Sequence, residues 1–146
     1  MFKILLPVDG SENASKTVAD FIRLTDWYKE KPELHLLNVQ YPLDGNVSLF
    51  INQADIKQYH QEEALKSLQN TRDLLDQAGI SYQYHIIVGD PAEMIVRFAT
   101  EKQYDQIIMG PRGKGGLSGL LLGSVTNKVM QLSNIPVLLV KNELLR

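Results

Sequence analysis

The chain has no cysteine, one tryptophan and six prolines among its 146 residues. Without cysteine there are no disulfides, thiol nucleophiles, iron–sulfur clusters or cysteine-based zinc sites. Charge of one sign is missing too: the formal net charge is −2, which argues against a general nucleic-acid binder, whose affinity rests on neutralising phosphates. No apolar run approaches the roughly 20 residues of a membrane-spanning helix. The opening stretch Met1-Phe2-Lys3-Ile4-Leu5-Leu6-Pro7-Val8-Asp9 is broken by Pro7 and Asp9 too early for a signal-peptide core. The expectation is a cytoplasmic domain with no membrane or nucleic-acid partner. Hydrophobic residues make up 44% of the chain. A chain of this length can bury roughly 68–70% of its unfolded surface, so residues 1–146 are expected to form one domain without a staple.

What is present is an alternation of two patterns. Five short runs of branched and aliphatic residues, 3–8, 34–39, 82–88, 106–109 and 135–140, have strand length, and three are nearly continuous in apolar character. Continuous runs mark strands buried on both faces, as in parallel sheets. Between them lie helical signals. Ser11 stands as an N-cap before Ala14, Val18, Phe21 and Ile22. From Asp55 to Ala78 the residues Ala64, Leu68, Thr71, Leu75 and Ala78 step along one face, with Gly79 as the stop. Asp90-Pro91-Ala92-Glu93 combines an aspartate cap, a proline at the first helical position and a capping-box glutamate. Ser124 precedes a last short helix carrying Val125, Val129 and Leu132. The order β-α-β-α-β-α-β-α-β predicts an open parallel sheet with helices on both faces.

Several motifs of catalysis are absent. There is no G-x-x-x-x-G-K-[ST], no G-x-G-x-x-G after the first strand and no G-x-S-x-G, which disfavours P-loop, dinucleotide-binding and serine-hydrolase chemistry. His35, His60 and His85 are scattered over two strands and a helix without metal-ligand spacing, so structural or surface roles are expected for them. Trp27 and Tyr28 read as packing or surface aromatics, and Glu62-Glu63 as a solvated helix face.

Ligands of open α/β sheets sit outside the carboxyl ends of the strands. There the fourth strand runs into Met109-Gly110-Pro111-Arg112-Gly113-Lys114-Gly115-Gly116-Leu117-Ser118-Gly119, which holds half of all the glycines, and then reaches Gly123-Ser124 at a helix start. Glycines let backbone N–H groups approach an anion and adopt positive φ. The helix start adds free N–H groups and partial positive charge, and Ser124 can both cap that helix and meet a phosphate. Solvated cations on a mobile surface loop are the competing reading; the coincidence of glycines, cations and helix start favours anion capture.

The spacing Gly110-x2-Gly113-x9-Gly123-Ser124, after a first strand ending Val8-Asp9-Gly10-Ser11, resembles the ATP-binding branch of the universal stress protein (UspA-like) family. The likeness also takes in Gly89-Asp90-Pro91-Ala92-Glu93 and the closing Ile135-Pro136-Val137-Leu138-Leu139-Val140. It implies a Rossmann-like, five-stranded parallel sheet in the order 3-2-1-4-5, with ATP lying across the tips of strands one and four. By the same resemblance Pro7, Val8 and Asp9 would border adenosine, and Val39 would meet adenine through its backbone. Met109, Gly110, Arg112 and Gly113 would hold ribose and phosphate. Gly123, Ser124, Val125 and Thr126 would take the phosphates, with Mg2+ held mainly by the phosphates themselves. Two positions depart from the family pattern: Pro111 replaces a small polar residue, and Asn38 a frequent histidine. Asp9 has two readings, a contact to ribose or the divalent ion, and a cap on the turn into the first helix.

Three functions remain. One is a binding module that senses or stores ATP and changes partners with nucleotide state, favoured by a phosphate-cradling loop without an evident catalytic base. The second is a slow ATPase or nucleotide-transferring enzyme that uses Arg112, Lys114 and a metal. The third is an interaction protein with a vestigial pocket. In the order that the resemblance implies, Ile135 to Val140 forms a sheet edge, so two copies are expected to pair there antiparallel as a homodimer. The loop from Gln40 to Ala54 has the length of a lid or a partner surface.

Overall fold

The computed structural model describes residues 1–113 and 122–141. Its five strands are β1 (Lys3–Pro7), β2 (Glu33–Gln40), β3 (Tyr82–Val88), β4 (Gln106–Met109) and β5 (Val137–Leu139), all paired in parallel in the order β3-β2-β1-β4-β5. The helices are α1 (Glu12–Leu24), α2 (Gly45–Ser48), α3 (Gln53–Gln77), α4 (Pro91–Glu101) and α5 (Ser124–Leu132).

Strand alternation divides the core into two layers. Ile4, Leu6, Leu34, Leu36 and Ile108 pack with Val18, Phe21 and Leu24 of α1 and with Leu68 and Leu75 of α3. On the opposite face Leu5, Leu37, Ile107 and Met109 pack with Ala92, Ile95 and Ala99 of α4 and Val129 of α5. Ile4, Leu5 and Leu6 are wholly buried, because β1 has a strand on each side and a helical layer on each face. The continuous apolar runs of the sequence therefore mean what they mean in parallel sheets generally.

The expected elements are all present, with four differences. β5 is confined to Val137–Leu139, although ladder hydrogen bonds extend from the Pro136 carbonyl, which accepts from Ile107 N–H at 2.9 Å, to Val140 N–H, which donates to Met109 at 2.9 Å. The segment from Gln40 to Ala54 contains the one-turn α2, capped by the Asp44 carboxylate on Asn46 N–H, and α3 starts inside it at Gln53 with Asn52 as N-cap. After α1 the chain makes a 3-10 turn, Thr25–Trp27; Trp27 is exposed, and Tyr28 donates its hydroxyl to Gln106 Oε1 at 2.6 Å. Finally, α5 has Gly123 rather than Ser124 as its N-cap, with no side-chain cap. Gly123 N–H is drawn to the Pro111 carbonyl at 2.6 Å, which holds Gly123 in the extended conformation of a cap and leaves Ser124 inside the first turn.

Helix α3 stops where the sequence says it should. Gly79 has φ +70°, with its N–H on the Asp76 carbonyl and Ile80 N–H on Leu75. A Cβ there would meet nothing within 4 Å, so only backbone strain opposes a side chain. Gly79→Ala should lower unfolding free energy by about 1 kcal/mol, read as a shifted midpoint in denaturant melts without a change of slope.

Candidate functional site

β1 delivers the chain to its C-terminal edge under firm control. Val8 N–H donates to the Leu37 carbonyl at 2.8 Å, and the Val8 carbonyl accepts from Asn38 Nδ2 at 2.8 Å. Asn38 is 2% exposed and itself accepts from Gln40 Nε2 at 2.6 Å. The side chain of this departure from the family pattern thus bolts Val8, the first residue past β1, in place. Past it, Asp9 Oδ1 accepts from Ser11 N–H at 3.0 Å and Ser11 Oγ at 2.6 Å, while Ser11 Oγ accepts from Ala14 N–H at 3.1 Å. Gly10 turns the corner at φ +83° against Ser67 of α3. The capping reading of Asp9 is therefore met.

The loop after β4 is described at both ends, up to Gly113 and again from Leu122; Lys114, Gly115, Gly116 and Gly119 lie outside the described residues. Its two ends close on each other and on β1 and α1. A Cβ at Gly123 would sit 3.3 Å from Arg112 Cα and 3.6 Å from Gly113 N, one at Gly113 would fall on Asp9 Oδ2, and one at Gly110 on Thr17 Oγ1. Gly110, Gly113 and Gly123 do not take positive φ. Their glycine identity answers to close approach, a correction to the conformational reason expected from the sequence. The Gly110 carbonyl accepts from Thr126 Oγ1 at 2.9 Å, and the Gly113 carbonyl from Asn13 Nδ2 at 3.2 Å.

Of the sequence-derived residues, Val8, Asp9, Gly110, Arg112, Gly113, Gly123 and Thr126 take part in these contacts, while Pro7 ends β1 and Ser124 opens α5. Met109 closes β4, 7% exposed. Val39 and Val125 are half-buried and pack with the α4–α5 layer. Arg112 and Ser124 are exposed. The sequence reading missed Asn13, Thr17 and the bolt made by Asn38. Asn13 and Thr17 lie four apart on α1, and Thr17 Oγ1 donates to the Asn13 carbonyl at 3.0 Å; polar residues at helical spacing, continued by the buried Asp20, were the available signal.

Away from this edge, two hollows are described. One of about 600 Å³ lies along β3 under Arg72 and Tyr84, and one of about 390 Å³ lies between α2 and the start of α3, lined by Val47, Ile51 and Tyr59. No group of three metal-ligating side chains occurs among the described residues, and no helix among them is long and apolar enough to cross a membrane.

The pattern of the Universal stress protein family matches residues 1–141. Universal stress protein MJ0577 of Methanocaldococcus jannaschii is 41% identical over 156 residues, covering 97% of this chain and 95% of that one. Universal stress protein YxiE of Bacillus subtilis is 33% identical over 149 residues, covering 95% and 98%. A solved structure of MJ0577 superposes with a TM-score of 0.79 at 36% identity, covering 96% of this chain and 95% of that chain. A universal stress protein solved in complex with cAMP superposes at 0.68 with 23% identity, covering 95% and 96%, a likeness of fold.

Thr126 is 3% exposed, and its hydroxyl satisfies the first glycine carbonyl of the loop. Thr126→Val should leave that carbonyl short of a partner and cost about 1–3 kcal/mol; a melt indistinguishable from the wild type would show that the hydroxyl does not hold the loop.

Proposed function

Because the chain belongs to the universal stress protein family, we propose that residues 1–146 act as one domain that binds ATP at the ends of β1 and β4 and changes its protein contacts with nucleotide state. One observation carries this reading: α5 starts without a side-chain cap, at a glycine packed on Arg112 and Gly113, beside the end of β1. An uncapped helix start presents unpaired N–H groups and partial positive charge, and here it coincides with an exposed guanidinium able to form charge-assisted bonds to phosphate. In this reading Gly123, Ser124, Val125 and Thr126 receive the phosphates, while Met109, Gly110, Arg112 and Gly113 hold ribose and phosphate. Pro7, Val8, Asp9 and the Val39 backbone border the adenosine. Mg2+ would be held mainly by the phosphates. The cAMP complex of the more distant relative is a property of that protein.

Binding is preferred to hydrolysis because, among the described residues, Asp9, the carboxylate against Gly113, has its Oδ1 taken up by the Ser11 N–H and hydroxyl. Millimolar Mg-ATP should raise the melting temperature by about 5–10 °C, the equivalent of roughly 2.7 kcal/mol at a hundredfold excess over Kd. Arg112→Ala removes an exposed side chain, so it should leave the ligand-free melt unchanged while weakening ATP about tenfold or more. A melt insensitive to millimolar ATP sinks the proposal. Denaturing the purified protein and identifying the nucleotide released separates storage of intact ATP from turnover.

Among the described residues β5 lies at the edge of the sheet with β4 as its one neighbour. We extend the proposal to a homodimer in which two β5 edges pair antiparallel about a two-fold axis, which would cover the unpaired backbone of an apolar edge strand. Light scattering at micromolar concentration should give twice the chain mass; a monomer mass contradicts the pairing.

A further inference from the structure

Two of the histidines that look scattered in sequence, His35 and His85, meet in space. β2 and β3 pair in parallel with His35 opposite Gln83 and Leu37 opposite His85, so the two histidines are diagonal neighbours on one face. His35 Nδ1 lies 2.8 Å from His85 Nε2, and the two rings lie edge to edge and nearly coplanar, with centroids 5.1 Å apart and 3° between planes. At the other side of its ring, His35 Nε2 meets Glu33 Oε1 at 3.0 Å. His35 is 5% exposed, with the Tyr104 ring edge-on at 5.1 Å, and Phe98 of α4 lies 5.0 Å from His85.

The donors and acceptors in this chain can be counted. Ionised Glu33 only accepts, so His35 Nε2 carries the hydrogen that faces it. Nδ1 of a neutral His35 is then an acceptor, and His85 Nε2 must donate to it. One additional proton is tolerated: His85 Nδ1 can take it while Nε2 keeps donating, with Glu33 as counter-charge. A second proton places N–H groups on both facing nitrogens, and a 2.8 Å hydrogen bond becomes a contact between two donors on two cations.

The remaining charges nearby do not relieve this. Lys3 of β1 stands over the Tyr104 ring with Nζ 4.5 Å from its centroid and donates to the Lys102 carbonyl at 2.8 Å. Burial first, then His35, Lys102 and Lys3, push the His85 imidazole below its usual range. Glu33 is held below the ordinary carboxylate range, first by its hydrogen bond to His35 and further by the charges of His35, Lys3 and the amino terminus, and Tyr104 is pushed up to about 12 by burial and then by Glu33. Neutral Tyr104 and Gln83, whose amide lies 3.4 Å from Glu33 Oε1, complete the surroundings.

We propose that Glu33, His35 and His85 form an acid-released latch. It holds edge strand β3 to β2 while the facing ring nitrogens share one hydrogen, and it frees the strand when both are protonated. β3 is the element this can move, since among the described residues β2 is its one strand neighbour. A base whose proton affinity falls on folding contributes stability that is complete above its unfolded value, about pH 6.5. That stability is lost as pH drops through the lower folded value. Glu33 adds a further loss in the same direction below its ordinary carboxylate range.

Amide exchange of the whole chain, corrected for its intrinsic pH dependence, tests this at about pH 7.5 and about pH 5.5. In the wild type, protection in β3 should fall about tenfold or more beyond any change in β1. In His85→Gln, whose amide can still donate to His35 but cannot take a proton, that selective loss should disappear. An equal loss in both proteins, or none confined to β3, overturns the latch. If the variant does not fold, ring-proton titration of the wild type decides. His35 and His85 should shift together in two steps; two separate single-step curves refute the coupling.

Discussion

The candidate site depends on β1 being a central strand buried on both faces. Its neighbours β2 and β4 hold it laterally, and the last hydrogen bonds of the strand, to Leu37 and from Asn38, fix where the backbone is released. Beyond that point α1 departs into one helical layer while α5, which follows β4, belongs to the other. The chain therefore separates at the ends of β1 and β4, the kind of switch point outside which ligands of open α/β sheets sit.

The side chains then refine it. Thr126, Asn13 and Thr17 hold or abut the described ends of the loop through Gly110 and Gly113, and Asp9 lies against Gly113. Three glycines in one motif thus answer a packing demand: the loop ends must touch each other and α1. A larger residue at any of the three would be opposed even with nothing bound, so the motif by itself does not argue for a ligand. The binding proposal rests instead on the exposed Arg112 and on the glycine start of α5.

The layout was legible in sequence where its cause is local or periodic. Strands of continuous apolar character, the Asp90-Pro91 helix entry, whose Asp90 carboxylate accepts from Glu93 N–H, and the Gly79 stop depend on neighbours a few residues away. The family spacing located Gly110, Gly113 and Gly123 together. What stayed hidden was non-local or too short to have a period. The one-turn α2 has no second turn to repeat a pattern. The choice of Gly123 over Ser124 as cap follows from a hydrogen bond to Pro111 across the loop. The approach of His35 to His85, fifty residues apart, depends on the register of a parallel pair, which no turn sequence fixes.

A parallel sheet also separates its two ends. His35 lies near the start of β2 and the glycine loop beyond the end of β4, a strand length of roughly 15–20 Å away. At an effective dielectric constant of about 20, unit charges that far apart interact by about 1 kcal/mol before salt screening. Protonation at one end is therefore a weak electrostatic influence on an anion at the other. Strong coupling between the two would have to be mechanical, through β2, whose Glu33 and His35 carry the histidine chain and whose Asn38 bolts Val8 in place. β2 is buried from Leu34 to Asn38, so one packed strand carries both sets of contacts.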